Sequence, residues 1–147
     1  MDRIQFLGMS EVEQNKFLLE IASNILPVLS QFPKVQTVVK KSINAASRYM
    51  NGERVYAEEI GKWLNHEDES QDLAVQNFFV ENNESAKSAI HIACFAVGAI
   101  AKQAYKDQGI PRRKVPEVVE LSDPLVVVIA ITEYEKLLDK RLVPKLK

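Results

Sequence analysis

The sequence predicts an all-α fold, a single-domain helical bundle of about five to six helices around a central apolar helix at 85–108. Apolar residues recur at helical spacing in several segments, capping and helix-ending residues flank those segments, and no two apolar runs pair convincingly as strands. A chain of 147 residues can bury one core without disulfides or a structural metal. We therefore expect residues 1–147 to form one domain.

The first helix is predicted over residues 11–30. Ser10 followed by Glu13 is the sequence pattern of a capping box, and the residues behind it form one apolar stripe. Pro27 falls inside the stripe, where a proline removes a backbone donor and clashes with the preceding turn. We therefore expect a kink or an early end near Ile25.

The second helix is predicted to begin at Pro33, because proline suits the first helical turn. Its small and apolar side chains share one face up to Tyr49, and Asn51 and Gly52 supply residues that tolerate a left-handed stop. A short helix is then predicted over residues 56–64.

Another short helix is predicted to follow, with Asp68 or Ser70 as its cap. Its apolar residues would be Leu73, Val75, Phe78 and Phe79.

The central helix is predicted from residue 84 or 85 to Gln108. This segment is apolar on nearly every side, which is typical of a helix surrounded by others. Gly109 favours its end, and Pro111 prevents the helix from resuming.

The last long helix is predicted over 125–138, with Asp123 as N-cap and Pro124 at the first helical position. The apolar run at 126–129 is also compatible with a buried strand. The continuation at helical spacing, and the lack of a second strand to pair with, favour the helix.

Charge is distributed unevenly along the chain. Residues 51–84 carry only two basic side chains, and their net charge is −7 in a protein whose total is −1. A charged run is most often a solvated surface, but an acidic face also attracts basic partners. Trp63 lies in the same segment and suits either the core, which is favoured, or an aromatic contact with a partner. The candidate partner-binding residues are Glu58, Glu59, Trp63, Glu67, Asp68, Glu69, Asp72, Glu81 and Glu84.

Patterns that carry catalysis or bind cofactors are missing from the sequence. His91 and Cys94 are spaced to share a helix face, but two ligands do not make a zinc site. His66 precedes three carboxylates that lack the residue order of a calcium loop. Nucleotide, dinucleotide, esterase and metalloprotease motifs are also missing. We therefore expect a protein that is not an enzyme, with no catalytic residue, cofactor or metal.

Cysteine content, apolar runs and overall charge bear on the location of the protein and on its other partners. The single cysteine, the lack of a signal-peptide pattern and the short apolar runs predict a cytoplasmic protein that does not span a membrane. The basic cluster at 112–114 could touch phosphate, but the chain is not basic overall, so we expect no nucleic-acid partner. The oligomeric state stays open between a monomer and a dimer that buries an apolar patch.

The order of several segments resembles the sixth all-α family of immunity proteins from bacterial polymorphic toxin systems. The resemblance covers roughly residues 6–106. It rests on the segment FLLEIASNILPVL, the break at Gly52, the segment NGERVYAEEIGKWLNHEDE and the ending AIAKQAYK. Where that family usually carries tryptophan in its second helix, this chain has Ser47 and Tyr49.

The resemblance implies a small bacterial protein, encoded beside a toxin, that binds the toxin's C-terminal domain and neutralises it. An acidic surface that occludes a basic active site, such as that of a nuclease, is consistent with this role. The alternative is a non-catalytic helical interaction or regulatory module with no toxin partner. A small helical enzyme is a weaker alternative that would require a pocket joining His91, Cys94 and carboxylates.

Overall fold

The computed structural model describes residues 1–146, which form nine α-helices, four short 3-10 helices and no strand. The α-helices are α1 Arg3–Leu7, α2 Glu11–Asn24, α3 Pro33–Met50, α4 Ala57–Gly61, α5 Gln76–Phe79, α6 Glu84–Asp107, α7 Glu117–Glu120, α8 Pro124–Val127 and α9 Ile129–Asp139. The 3-10 helices are Leu26–Leu29, Lys62–Leu64, Glu69–Gln71 and Arg112–Lys114. The predicted all-α class is confirmed, with more and shorter helices than expected.

Helix α6 is the centre of the bundle, as predicted. Fifteen of its 24 residues are buried, and it packs against α2, α3, α4 and α9. Its first turn is capped by Asn83, whose side-chain oxygen accepts the Ala86 N–H at 2.9 Å. None of the helices within residues 1–146 has the length and apolarity that a bilayer crossing requires.

The predicted early end of the first long helix is confirmed. Helix α2 stops at Asn24, and the chain tightens into a 3-10 turn that contains Pro27. At the other end the Ser10 hydroxyl oxygen accepts the Glu13 N–H at 3.2 Å. Only this half of the predicted capping box is found between the two residues.

The ends of the chain differ from the prediction in two ways. The last long helix is divided into α8 and α9 at Val128, and the alternative strand at 126–129 is wrong. The short helices α1 and α7 were not predicted, because five and four residues show no helical repeat. In α1 the Asp2 and Gln5 side chains exchange hydrogen bonds with each other's backbone N–H groups at 2.8 and 2.9 Å.

The C-terminal end of α6 holds α4 in place. The Gln108 side chain accepts the Ala57 N–H and donates to the Val55 carbonyl, both at 2.9 Å. Gly61 lies so close to Tyr105 that a Cβ there would meet the ring at 3.2 Å. Because α4 is fixed against the central helix, the acidic segment that follows α4 starts from a defined position.

Candidate functional site

A closed loop carries the densest group of candidate carboxylates. The Leu73 N–H donates to the Trp63 carbonyl at 2.9 Å, so the two ends of residues 64–72 meet. We call residues 64–72 the acidic loop, because four of the predicted site residues lie in it: Glu67, Asp68, Glu69 and Asp72. Compact surface loops with joined ends are frequently functional.

Asp72 holds the acidic loop from inside and is not part of its surface. Its side chain is buried, with only 8% exposed. The carboxylate accepts the backbone N–H of His66 and of Ala74 at 2.9 Å each, and that of Val75 at 3.3 Å. A buried carboxylate needs such donors. These three bonds join the start of the loop to the segment that follows it.

Two further side chains satisfy the backbone of the acidic loop. Gln76 is 2% exposed, and its amide donates to the carbonyls of Ser70 at 3.1 Å and Asp72 at 2.9 Å. His66 Nδ1 accepts the Asp68 N–H at 3.0 Å. Hydrogen bonds of buried side chains to the backbone favour one conformation of the loop. The loop is therefore ordered by hydrogen bonds to its own backbone.

The network directs three consecutive carboxylates into solvent. Glu67, Asp68 and Glu69 are all exposed. Asp68 also accepts hydrogen bonds from the Ser70 hydroxyl at 2.7 Å and the Ser70 N–H at 3.0 Å, and these bonds lower the pKa of Asp68 below its ordinary value. The two bonds therefore favour the charged form of this carboxylate.

Trp63 occupies the core position, the first of the two alternatives for this residue. It is 8% exposed at the base of the acidic loop, and its ring centroid lies 5.5 Å from that of His66. Lys62 Nζ lies over the Trp63 ring, 5.3 Å from its centroid. Trp63 therefore supports the loop from below.

The remaining candidate carboxylates flank the acidic loop in sequence. Glu58 and Glu59 are exposed on the first turn of α4, where Glu59 accepts the Tyr56 N–H at 2.9 Å. Glu81 lies in the turn between α5 and α6, Glu84 is the first residue of α6, and both are exposed.

Most of these carboxylates have no cationic partner. The exception is Glu84, whose Oε1 lies 3.9 Å from Lys87 Nζ. No ion pair within residues 1–146 involves the others, which are Glu58, Glu59, Glu67, Asp68, Glu69, Asp72 and Glu81.

A groove of about 910 Å³ lies beside the acidic loop, between α3 and the segment that ends in α5. Val35 and Val38 form an apolar floor, and Lys34 and Lys41 lie on the α3 side. Phe79 lines the opposite side. The sequence did not predict this groove, because it forms only where two distant segments meet.

The prediction for the short helix after the acidic loop is wrong at Phe78 and Phe79. Both were expected among its apolar residues, yet Phe78 is 76% and Phe79 58% exposed. Helix α5 has only four residues, and adjacent helical residues do not face the same neighbour. The pair of adjacent phenylalanines is the signal that at least one ring would remain outside the core.

His91 and Cys94 do not form a reactive pair. His91 is exposed, while burial, together with the negative charge of Asp72, raises the pKa of the Cys94 thiol to about 12. Thiol chemistry and metal binding require the thiolate. Within residues 1–146 no three side chains of the ligand types His, Cys, Asp and Glu come together as a metal site would require.

The structure thus presents a helical bundle with an ordered acidic loop and a neighbouring groove. The class of protein is defined by a family model, described as Immunity protein Imm6, which matches residues 13–137. This chain belongs to the Imm6 family of immunity proteins, and its partner is a toxin. No curated protein and no solved structure matches it.

Proposed function

We propose that this immunity protein neutralises its toxin in the cytoplasm by placing the acidic loop over a basic active-site cleft, such as that of a nuclease. The observation that carries the proposal is the set of three unpaired carboxylates, Glu67, Asp68 and Glu69, on an ordered loop. Fixed negative charges of this kind can occupy the positions of substrate phosphates.

The order of the loop supports this function as much as its charge does. Ordering a flexible loop on binding would reduce affinity, because side-chain and backbone freedom is lost in the complex. Here the bonds made by Asp72 and Gln76 order the loop in the free protein. Asp72 and Trp63 therefore act as positioning residues within the proposed toxin-binding face.

The unpaired charge also predicts how the complex forms. Complementary charges accelerate encounter by about 10- to 1000-fold at low salt, and added salt screens the effect. We expect association with the toxin to be fast and strongly salt-dependent.

The test is the binding kinetics of an inactivated toxin C-terminal domain encoded beside this protein, at two salt concentrations. The variant Glu67→Lys, Asp68→Lys, Glu69→Lys should lower the association rate at least tenfold and weaken its salt dependence. It should also reduce growth rescue when co-expressed with the active toxin.

The matched control is Glu117→Lys, Glu135→Lys, Asp139→Lys, which changes three exposed carboxylates elsewhere by the same total charge. This control should retain more of the wild-type rate than the loop variant. An equal loss of association rate in both variants would show that net charge, and not the acidic loop, determines the rate. An unchanged rate in the loop variant would refute the acidic-loop mechanism, although the family assignment would stand.

A further inference from the structure

The exposed aromatic residues of α5 lie next to the acidic loop but are not explained by charge. Phe79 lines the groove, whereas the neighbouring Phe78 does not. Aromatic side chains are enriched at the centres of protein interfaces, and exposed apolar surface beside a polar rim is typical of a binding site.

The groove has an apolar base and room for a partner. Its volume of about 910 Å³ is sufficient for several side chains of a partner. Val35 and Val38 at its floor are 3% and 4% exposed, so they belong to the core and cannot move away easily. An apolar side chain entering the groove would therefore contact a preformed surface.

One edge of the groove is basic, and the other is formed by neutral residues that directly follow the exposed carboxylates of the acidic loop. On the α3 edge Lys34 and Lys41 are exposed, and neither takes part in an ion pair within residues 1–146. The other edge contains Ser70 and Gln71, which directly follow the three exposed carboxylates at 67–69. A partner that extends from the lysines, across the groove, to the carboxylates at 67–69 must carry acidic groups on one side and basic groups on the other.

We propose that the groove receives an amphipathic segment of the cognate toxin. Its apolar side chain packs against Phe79 and the valine floor, its carboxylates face Lys34 and Lys41, and its basic side chains face the acidic loop. The proposal rests on the proposed function, because the occupant belongs to the same toxin. The lysines on one edge and the carboxylates of the acidic loop beyond the other edge determine the direction in which the segment lies.

The first test is the dissociation rate from the inactivated toxin domain, because a buried aromatic anchor controls dissociation whereas peripheral charges control association. Phe79→Ala should raise the dissociation rate about tenfold or more, with little change in salt dependence. The matched control Phe78→Ala removes the adjacent, more exposed ring and should change the rate less than threefold. Equal effects of the two substitutions would overturn the groove as the site.

A second test fills the groove without removing a core side chain. Thr37 is exposed and lines the groove, so Thr37→Trp should block entry and weaken binding at least tenfold. Thr37→Ser keeps the hydroxyl and the open groove, and it should bind as the wild type does. Unchanged binding by Thr37→Trp, with a wild-type circular dichroism spectrum, would refute the proposal.

The sign of a charge reversal tests the orientation. Lys34→Glu, Lys41→Glu should weaken binding at least tenfold if the lysines face carboxylates. If the toxin presented only positive charge to this protein, the same change would strengthen binding. A strengthened complex would therefore overturn the proposed orientation.

The two proposals fail in different ways. If the variant Glu67→Lys, Asp68→Lys, Glu69→Lys binds as the wild type does while Phe79→Ala weakens binding, the acidic-loop mechanism alone is refuted. If the triple variant weakens binding while Phe79→Ala does not, the groove alone is refuted. No binding by the wild-type protein would overturn both. If the protein is a dimer by light scattering and Thr37→Trp makes it a monomer, the groove is occupied by a second copy and the toxin proposal is wrong.

Discussion

Helix α6 and the acidic loop are both well ordered, but different forces hold them. Helix α6 is buried on most sides by apolar neighbours, whereas the loop keeps its shape through hydrogen bonds that Asp72 and His66 accept and Gln76 donates. Apolar packing tolerates little change in volume, and a polar network tolerates little change in its donors and acceptors. The stability of the fold and the shape of the proposed binding face can therefore be altered separately.

The largest loss of stability is expected from a cavity in the central helix. Ile100 is fully buried, so Ile100→Ala should lower the free energy of unfolding by about 2–5 kcal/mol. Urea denaturation followed by circular dichroism measures this change. Ile100→Val should lose only about 0.5–1.5 kcal/mol. A similar loss for both variants would show that α6 is less tightly packed than the structure indicates.

A smaller loss of stability is expected at Gly98, where α6 has no room for a larger side chain. At Gly98 an added Cβ would overlap the Ser122 hydroxyl and lie 3.1 Å from Ser122 Cβ. Gly98→Ala should therefore lower the free energy of unfolding by about 1–3 kcal/mol. Adding Ser122→Gly should recover part of the loss in the same urea assay. No recovery would mean that the alanine is strained against something other than Ser122.

The smallest of the three losses is expected in the acidic loop. In Asp72→Asn the side-chain oxygen can still accept from Ala74, but the amide group cannot accept the His66 N–H. We expect unfolding to become easier by about 1–2 kcal/mol, and amide hydrogen exchange in the loop to accelerate.

The matched control for this change is Glu69→Gln, which removes a charge from the exposed surface of the same loop. It should alter stability by less than about 0.5 kcal/mol. If it destabilised the protein as much as Asp72→Asn, the buried network would not be what orders the loop.

The elements that the sequence predicts best are those with local signals. Pro27 ends α2 and the apolar pattern defines α6, because each effect depends on neighbours within a few residues. The acidic segment is visible as composition, but composition does not separate Asp72, which is buried, from Glu67, which is exposed. That distinction depends on hydrogen-bond partners up to six residues away.

The groove is harder to predict from a single sequence than the helices are. It requires α3 and α5 to approach each other, although residues 51–75 separate them in the chain. The exposure of Phe79 likewise depends on α5 ending after four residues. The adjacent phenylalanines indicate that at least one ring stays outside the core, but they do not indicate that both do.

The position of Trp63 also makes the protein a convenient subject for optical measurements. It is the sole tryptophan of the chain, and it sits beside His66 beneath the acidic loop. Indole emission responds to solvent and is quenched by a nearby protonated imidazole. Fluorescence excited at the red edge of tryptophan absorption would therefore record what happens at the base of this loop, in real time and without an attached dye.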